Sequence, residues 1–524
     1  MSTAGKNIAK AAGFMMVTTI IARLLGLVRD QIFTAWFGRN HLTDAYSAAF
    51  SIPDLVYMLL VGGALSSAFI PVFSKYLALD QEEEAWKVAS IMLNVTVVFL
   101  LVIIIVAEIY TRPLVKALVP GLPPDMINVG VTLTRIMFIQ TFIMALNGLA
   151  LGILNSKQHF TSPAIGSIVY NVGIIGMGLA LSHKIGIMGF AIGVVTGALL
   201  NLAVQIPALL RTRPKYHFSF DVRHPGFKQM MILMLPVLVG LSVTQLNLFV
   251  TQNKASDLAA GSISALRLAQ RIMQMPIGVF GISIAMAIFP SMNAQVARMD
   301  LAEFKRTVSL GLRAMFLITI PSAAGLIALK GPIIQLLFQF GKFHATDAAA
   351  TAVALMFYSF GLFAYSALQL LNRVFYSLKD TVTPVVTGVI SIALNIGLSI
   401  VLVQYLQHRG LALAYSLAGI INMLMLLVIF KWRMKTIDGA RIARGFIISL
   451  LAAGIMFVPT YLIGEFLLAN LHLTPKLDQL ITVLVGIAVG TMIYGFVILK
   501  FKLEEAQMIL DMMKKRFPRL SFLG

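Results

Sequence analysis

The sequence predicts an all-α polytopic membrane protein with about 14 transmembrane helices, built as two pseudo-symmetric six-helix bundles and an appended helix pair. Three observations lead there. Of the 524 residues, 59% are hydrophobic and only 12% charged, about half the charge density of soluble domains, which excludes water-soluble enzymes. Apolar blocks of roughly 20 residues, the length a helix needs to cross a bilayer, recur from end to end. Segments from the first part of the chain also return, in the same order, about 220 residues later.

Residues 1–210 are expected to form the N-terminal six-helix bundle. Met1 to Ala12 carries Lys6 and Lys10 ahead of an apolar run, as a secretory signal would, but the run continues past Arg23 towards Trp36 and reads as a retained first span, 8–36. Further apolar blocks lie at 45–74, 88–109, 128–153, 160–182 and 186–210. A basic cytoplasmic linker, 211–228, follows, with Arg211, Arg213, Lys215, Arg223 and Lys228. The C-terminal six-helix bundle, 229–433, takes the blocks at 229–250, 260–292, 307–328, 347–375, 382–405 and 410–430. Residues 434–500 hold the last pair of spans, 445–465 and 479–499. Residues 501–524 form a basic cytoplasmic tail. There Met508, Ile509, Met512, Met513 and Phe517 fall at helical spacing opposite charged positions, the pattern of an amphipathic helix on a membrane surface.

Forty-one Lys and Arg face 21 Asp and Glu, a formal charge of +20. With an even number of spans both termini share one side, and that side collects about 25 of the basic residues against about nine opposite. The asymmetry predicts cytoplasmic termini and assigns much of the charge to orientation and to anionic lipid headgroups, so no nucleic-acid partner is expected. Trp36, Trp86 and Trp432 fall at span ends, as interfacial anchors do. The absence of cysteine removes disulfides, thiolate metal sites and a Cys nucleophile. No histidine spacing suits a metal and no glycine loop of Walker type grips a nucleotide, so neither metal nor cofactor is expected. Any drive then comes from the membrane potential, a cation gradient or the substrate gradient.

The repeat sets the bundle architecture. LNSKQHFTSPAIG (154–166) parallels YSLKDTVTPVVTG (376–388), with Ser156 and Pro163 matching Ser377 and Pro384. Gly189 matches Gly410, Asn201 matches Asn422, and AFIPVFS around Pro71 parallels AIFPSMN around Pro290. Six spans separate matching segments, so the halves share orientation, an arrangement common in transporters that expose a substrate alternately to each side.

Charge inside the apolar blocks is the most informative feature, because a charged side chain at mid-bilayer costs on the order of 2.5–3.5 kcal/mol on insertion scales. Arg23, Arg29, Arg135, Arg267, Arg271, Arg313 and Arg373 all fall there. All are arginine although lysine dominates several loops, which favours a planar fork able to hold carboxylate or phosphate bidentately and points to an oxyanion ligand. In the first block Arg23 and Arg29 lie about 120° apart around a helix, whereas Arg23 and Asp30 share a face two turns apart, too far to bridge. Arg29 and Asp30 are adjacent and are not expected to pair. Arg23 therefore needs an acid from elsewhere (Asp44 and Asp54 are near in sequence), a water-filled cavity or a ligand; a structural salt bridge or snorkelling is the plain alternative. In block 260–292, Arg267 and Arg271 stand at i and i+4 on one face, where like charges repel unless an anion lies between them. Pro276, Gly278 and Gly281 then interrupt the helix, which marks them as candidate gating or helix-break positions. A cavity lined by these arginines suits a pyrophosphate better than a neutral drug.

ARLLGLVRDQIFTAWFG, TDAYSAAFSIPDL, GGALSSAFIPVF, QRIMQMPIGVFGISIAMAIFPSM and FYSLKDTVTP occur in that order. Over its first twelve spans the chain thereby resembles the MurJ (MviN) lipid II flippases of bacteria, within the multidrug, oligosaccharidyl-lipid and polysaccharide exporter superfamily. The resemblance implies movement of an undecaprenyl-pyrophosphate-linked disaccharide-pentapeptide across the bacterial cytoplasmic membrane, inner to outer leaflet, by alternating access, for peptidoglycan synthesis and alongside the cell-wall machinery. It further implies that Arg23, Arg29 and Arg271 grip the pyrophosphate, that Asp44 is the family's aspartate after the first span, and that the polyprenyl tail stays in lipid along the last two spans. Tyr57, Met58 and Gly62 stand where many members carry two arginines and an acid, which makes Arg267 a candidate replacement for the lost charge. Three other readings stay open. They are a flippase for a capsule, teichuronic or O-antigen-type lipid-linked glycan, a cation-coupled drug exporter, which needs acids in the cavity, and a non-transporting scaffold, in which the arginines are dispensable.

Overall fold

The computed structural model describes residues 3–58, 68–435, 437–501 and 503–507, and every regular element among them is helical. The apolar blocks dictate this, since hydrocarbon offers no water to backbone N–H and C=O groups and a helix pairs them within one segment. Gly62 and the tail pattern from Met508 to Phe517 lie outside the described residues.

The chain divides into two compact units, Met1–Ser264 with Phe340–Phe343, and Ala265–Gln339 with His344–Gly524. The first holds α1 (Thr3–Phe37), α2 (His41–Ala49), α3 (Ser51–Tyr57), α4 (Ile70–Ala78), α5 (Glu82–Ile109), α6 (Thr111–Leu118), α7 (Pro124–Ser156), α8 (Thr161–Ile185), α9 (Met188–Arg211) and α10 (Pro225–Ser256). At its end begins α11 (Ser262–Pro276), which leads through a π-turn, Ile277–Gly281, into α12 (Ile282–Ala297). The second unit continues with α13 (Leu301–Ala328), α14 (Lys330–Phe338), α15 (Ala345–Ser359), α16 (Leu362–Ser377), α17 (Val382–Leu406), α18 (His408–Met434), α19 (Gly439–Asn470) and α20 (Pro475–Lys500). Ten helices among the described residues are long and apolar enough to cross a membrane, or eleven if α15 and α16, bent by 44° at their junction, count as one span. The remaining expected blocks fall on α1, on α10 and on the short helices α2 to α4.

In the first unit α8 and α9 pack through glycine. A Cβ added to Gly197 would stand 2.5 Å from the Tyr170 carbonyl oxygen, and one added to Gly193 would stand 2.8 Å from that of Ile174. Small residues let two backbones touch, which is how helices gain packing energy in a solvent as apolar as their own side chains. Helices α1 and α2 close on this pair through Phe33, which stacks on Tyr46 at 4.4 Å and meets Phe190 edge-on at 5.3 Å.

The internal repeat is written into the backbone. Gln158 and Lys379, 221 positions apart, both turn with φ near +60° after α7 and α16. Gly186 (φ 60°, ψ −137°) and Gln407 (φ 52°, ψ −136°), again 221 apart, end α8 and α17 in one conformation. Asp80 and Met299 repeat a positive φ after α4 and α12. Between α16 and α17 the Asp380 carboxylate accepts the Val382 and Thr383 amides, both at 3.0 Å, the Thr383 hydroxyl at 2.6 Å, and Arg433. Desolvation pushes this carboxyl up, but the Thr383 bonds and the Arg433 guanidinium outweigh it and hold it at about 2.

The core of the second unit packs α12, α13, α16, α18 and α19 around Leu312, Phe316, Leu370, Phe375 and Phe430. The chain after α20 belongs to it, since Leu503 and Ala506 are buried in the same cluster. Between them Glu505, 3% exposed, pairs with Arg313 of α13, whose Nη2 also lies 3.2 Å from Glu504 Oε2. Arg313 is 7% exposed, so this guanidinium is neutralised from within the unit.

Two outcomes test these packing statements. Gly197→Leu forces the Tyr170 carbonyl away and lowers stability by about 1–3 kcal/mol, whereas Gly176→Ala, with open space around its Cβ, leaves thermal unfolding in detergent unchanged. Arg313→Leu strands a buried carboxylate and destabilises by about 3–5 kcal/mol, while Arg313→Leu combined with Glu505→Leu recovers most of the loss; thermal unfolding of single and double variants reads the difference.

Candidate functional site: membrane arginines and an apolar cavity

The structure sorts the arginines by what answers their charge. Arg135 pairs with Glu108 at 3.3 Å on an exposed face, Arg313 with Glu504 and Glu505, and Arg373 donates to the Ile282 carbonyl at 3.3 Å beside the π-turn. These three have structural partners, as the plain alternative anticipates.

Arg29 corrects the sequence expectation. Its Nε and Nη2 donate to Asp30 Oδ1 at 3.1 and 3.0 Å, and its Nη1 reaches Asn171 Oδ1 of α8 at 3.4 Å. Adjacency on a helix limits where Cβ atoms point, but three methylenes let the guanidinium fold back beside its neighbour. Arg23 differs. It is exposed on α1, and among the described residues it has no hydrogen bond or ion pair.

Asp44 is 2% exposed on α2, a helix opened by a capping box between Asn40 and Thr43. Its Oδ2 accepts the Gly261 amide at 2.7 Å and its Oδ1 the Ser264 amide at 2.8 Å. Both oxygens are thus spent on amides at the first turn of α11, which an anion satisfies and whose dipole it complements. Gly261 has φ +80°, and a Cβ there would stand 2.2 Å from Arg39 Cγ, so the turn demands glycine. Sequence reasoning marked Asp44 but missed Gly261 and Ser264, because the partners lie more than 200 residues away with no local motif between them.

Along α11, Ala265, Leu268, Ala269 and Ile272 are buried, while Arg267 is exposed and Arg271 half-buried. Between the arginines, Gln270 is bonded by the Tyr415 side chain, which stacks on Tyr365 at 4.4 Å. Pro276 ends the α-helix, and Ile277–Gly281 continues as the π-turn, the local adjustment that a residue without an N–H provokes. Gly278 lies within this turn, and Gly281 closes it against Ser366, whose Cα would be 3.2 Å from an added Cβ.

Pro276 and Phe280 also line a cavity of about 650 Å³, walled by α13, α19 and α20. Its lining is almost wholly apolar and includes Leu317, Pro321, Met456 and Gly490. Tyr494 turns its hydroxyl to the Leu317 carbonyl at 2.7 Å, so even this polar lining residue is satisfied internally. Gly486 and Gly490 hold the walls close, since a Cβ at either would stand 2.8 Å from Leu329 or Thr460. Ala506, beyond α20, lines the same cavity. Such a space has the chemistry to accommodate a hydrocarbon chain, and its lining includes no charged side chain.

The family described as "Lipid II flippase MurJ" matches residues 33–485. The "Probable lipid II flippase MurJ" of Buchnera aphidicola subsp. Acyrthosiphon pisum (strain APS) is 30% identical over 424 residues, 80% of this chain and 83% of that protein. The "Lipid II flippase MurJ" of Burkholderia cenocepacia is 30% identical over 416 residues, 78% of this chain and 81% of its own. Among solved structures, "Lipid II flippase MurJ, inward closed conformation" superposes with a TM-score of 0.79 at 27% identity, covering 93% of this chain and 98% of that one. An inward-facing multidrug resistance MATE family transporter shares the fold at a TM-score of 0.67 and 14% identity, covering 80% and 98%. The chain is therefore a multi-pass membrane transporter of the bacterial inner membrane and belongs to the lipid II flippase MurJ family.

Proposed function

We propose that this protein moves lipid II, the polyprenyl-pyrophosphate-linked peptidoglycan precursor, from the inner to the outer leaflet by alternating access. The observation that carries this reading is the placement of two unlike sites on one helix. Arg271 precedes Pro276, a residue of the apolar cavity's lining, by five residues, about 7.5 Å along the axis, so an arginine and an apolar cavity wall belong to one helix less than two turns apart. A lipid with a pyrophosphate head and a hydrocarbon tail needs that pairing. Arg271 and Arg267 on α11 of the second unit, and separately Arg23 and Arg29 on α1 of the first, are fork-shaped donors of the kind that suits pyrophosphate oxygens. The tail occupies the cavity walled by α13, α19 and α20. Asp44, with both oxygens committed to α11, sets where that helix begins, and Pro276, Gly278 and Gly281 give it the bend.

In this reading both termini are cytoplasmic, the membrane potential or a cation gradient supplies the drive, and the cell-wall synthesis machinery receives the product. Tyr57 and Met58, in place of the arginines expected there, favour a second cargo, another lipid-linked glycan with the same pyrophosphate and polyprenyl parts.

Depleting the protein in its host accumulates lipid-linked peptidoglycan precursor in the inner leaflet; accumulation of a different glycan intermediate instead selects the second cargo. In complementation of that strain, Arg23→Ala and Arg271→Ala each lower leaflet-resolved flipping by about 10- to 100-fold, the equivalent of one charged hydrogen bond of about 1.5–3 kcal/mol. Arg267→Ala lowers it too if Arg267 replaces the missing charge of the second span; intact flipping in that variant alone defeats the replacement.

A further inference from the structure

The segment between α9 and α10 is built unlike a solvated loop. It runs back along α5, and its polar groups face the protein. The His217 amide donates to Ser90 Oγ at 3.0 Å, the Ser219 carbonyl accepts Asn94 Nδ2 at 3.0 Å, and the Tyr216 hydroxyl donates to Asn94 Oδ1 at 2.7 Å. On the return leg His224 bonds Glu84 at 2.8 Å and accepts the Gly226 amide at 3.1 Å. Ser90 and Asn94, 4% and 7% exposed, are polar positions on an otherwise strongly apolar helix, one turn apart on one face. The segment explains why they are polar.

The opposite face is apolar and bare. Tyr216, Phe218, Phe220 and Val222 alternate with His217, Ser219 and Asp221, at the period of extended chain, and are 58, 80, 45 and 52% exposed. Phe218 and Phe220 contact each other edge to face at 5.4 Å. The level of the tip follows from α5: Asn94 lies ten residues beyond Glu84, about 15 Å along the helix. The aromatic tip therefore lies about 15 Å further along a membrane-spanning helix than the polar cluster of Glu82, Glu84, Lys157 and His224 at its start. Within residues 211–228, Arg211, Arg213, Lys215, Arg223 and Lys228 stand against a single acid, Asp221, and Glu82 of α5 lies within electrostatic reach of Lys215.

We propose that residues 213–223 are a lipid-anchored strap, with Phe218 and Phe220 seated among the acyl chains just below the headgroups and the flanking Arg and Lys bound to anionic phospholipid. Aromatic rings prefer this zone, and basic side chains beside them gain from negative headgroups. The charge complementarity selects an anionic leaflet as the occupant, and the inward-facing polar backbone explains how a non-helical segment is tolerated at that level.

The chain has no cysteine, so Phe218→Cys provides a single thiol for a nitroxide label in the full-length protein. In nanodiscs containing phosphatidylglycerol, the label should collide with oxygen and be shielded from a water-soluble nickel chelate. That shielding should be lost in discs of phosphatidylcholine alone, and also when Arg213, Lys215 and Arg223 are changed together to Gln. Asn94→Leu, which removes both of its bonds to the strap, should sharpen the label's spectrum and open it to nickel. A label reached equally by nickel in both lipids, one shielded equally in both, or one closed to oxygen and nickel alike, as under a protein partner, overturns the proposal.

Discussion

A guanidinium inside a membrane must be answered by a carboxylate, a carbonyl, water or a bound anion, because hydrocarbon offers nothing else. The membrane arginines of this chain differ in how they are answered. Arg313 is closed off by Glu505 in the core of the second unit, Arg135 by Glu108, and Arg373 by a carbonyl beside the π-turn. Arg29 is intermediate. A guanidinium carries five N–H donors, and Asp30 takes the Nε edge through a single oxygen. Arg23 lies at the other extreme, exposed and without a partner among the described residues. The insertion cost of Arg313 is offset by the fold, whereas no partner among the described residues offsets that of Arg23.

The same scarcity of partners governs the backbone. Helices in lipid cannot be driven together by apolar burial alone, so α8 and α9 meet through glycines at Gly173, Gly193 and Gly197. The ends of these helices are set by backbone geometry rather than by side chains. Gly186 and Gln407 adopt nearly one conformation at equivalent places of the repeat, although one is glycine and the other is not. Retention of that turn by a residue it strains shows that the geometry, rather than the residue, is the repeated feature.

Much of this was legible in the sequence, and the limits have physical causes. Composition and block length gave the helical membrane fold, because the bilayer thickness sets one length scale for every span. The arginines stood out because lipid makes them expensive, and a π-turn follows Pro276, where a helix break was expected. Partners far apart in sequence were not legible. Asp44 could be marked as one of the acids near Arg23 in sequence, but not its amides at Gly261 and Ser264. Arg313 could be marked as an arginine within an apolar block, but not Glu505, which sits nearly 200 residues on in a segment that the sequence assigns to a basic cytoplasmic tail. The Arg29–Asp30 pair was misjudged for a different reason: a spacing rule for Cβ directions was applied to a side chain long enough to escape it.

The segment from Arg211 to Lys228 shows the same limit from the other side. By composition it is a basic loop, and its charge is expected to serve orientation in the membrane and contact with anionic headgroups. Its aromatic residues carry no signal by that measure, since five aromatic or aliphatic side chains among eighteen residues are unremarkable. Only when Ser90 and Asn94 of α5 are seen to take its polar groups does the alternation acquire a direction, with the hydrogen-bonding edge inward and the rings outward. In water that arrangement is inside out, exposing rings while burying the groups water would satisfy. Beside a bilayer it is the favourable one, because the solvent outside is the apolar phase and the protein is the nearest source of hydrogen bonds.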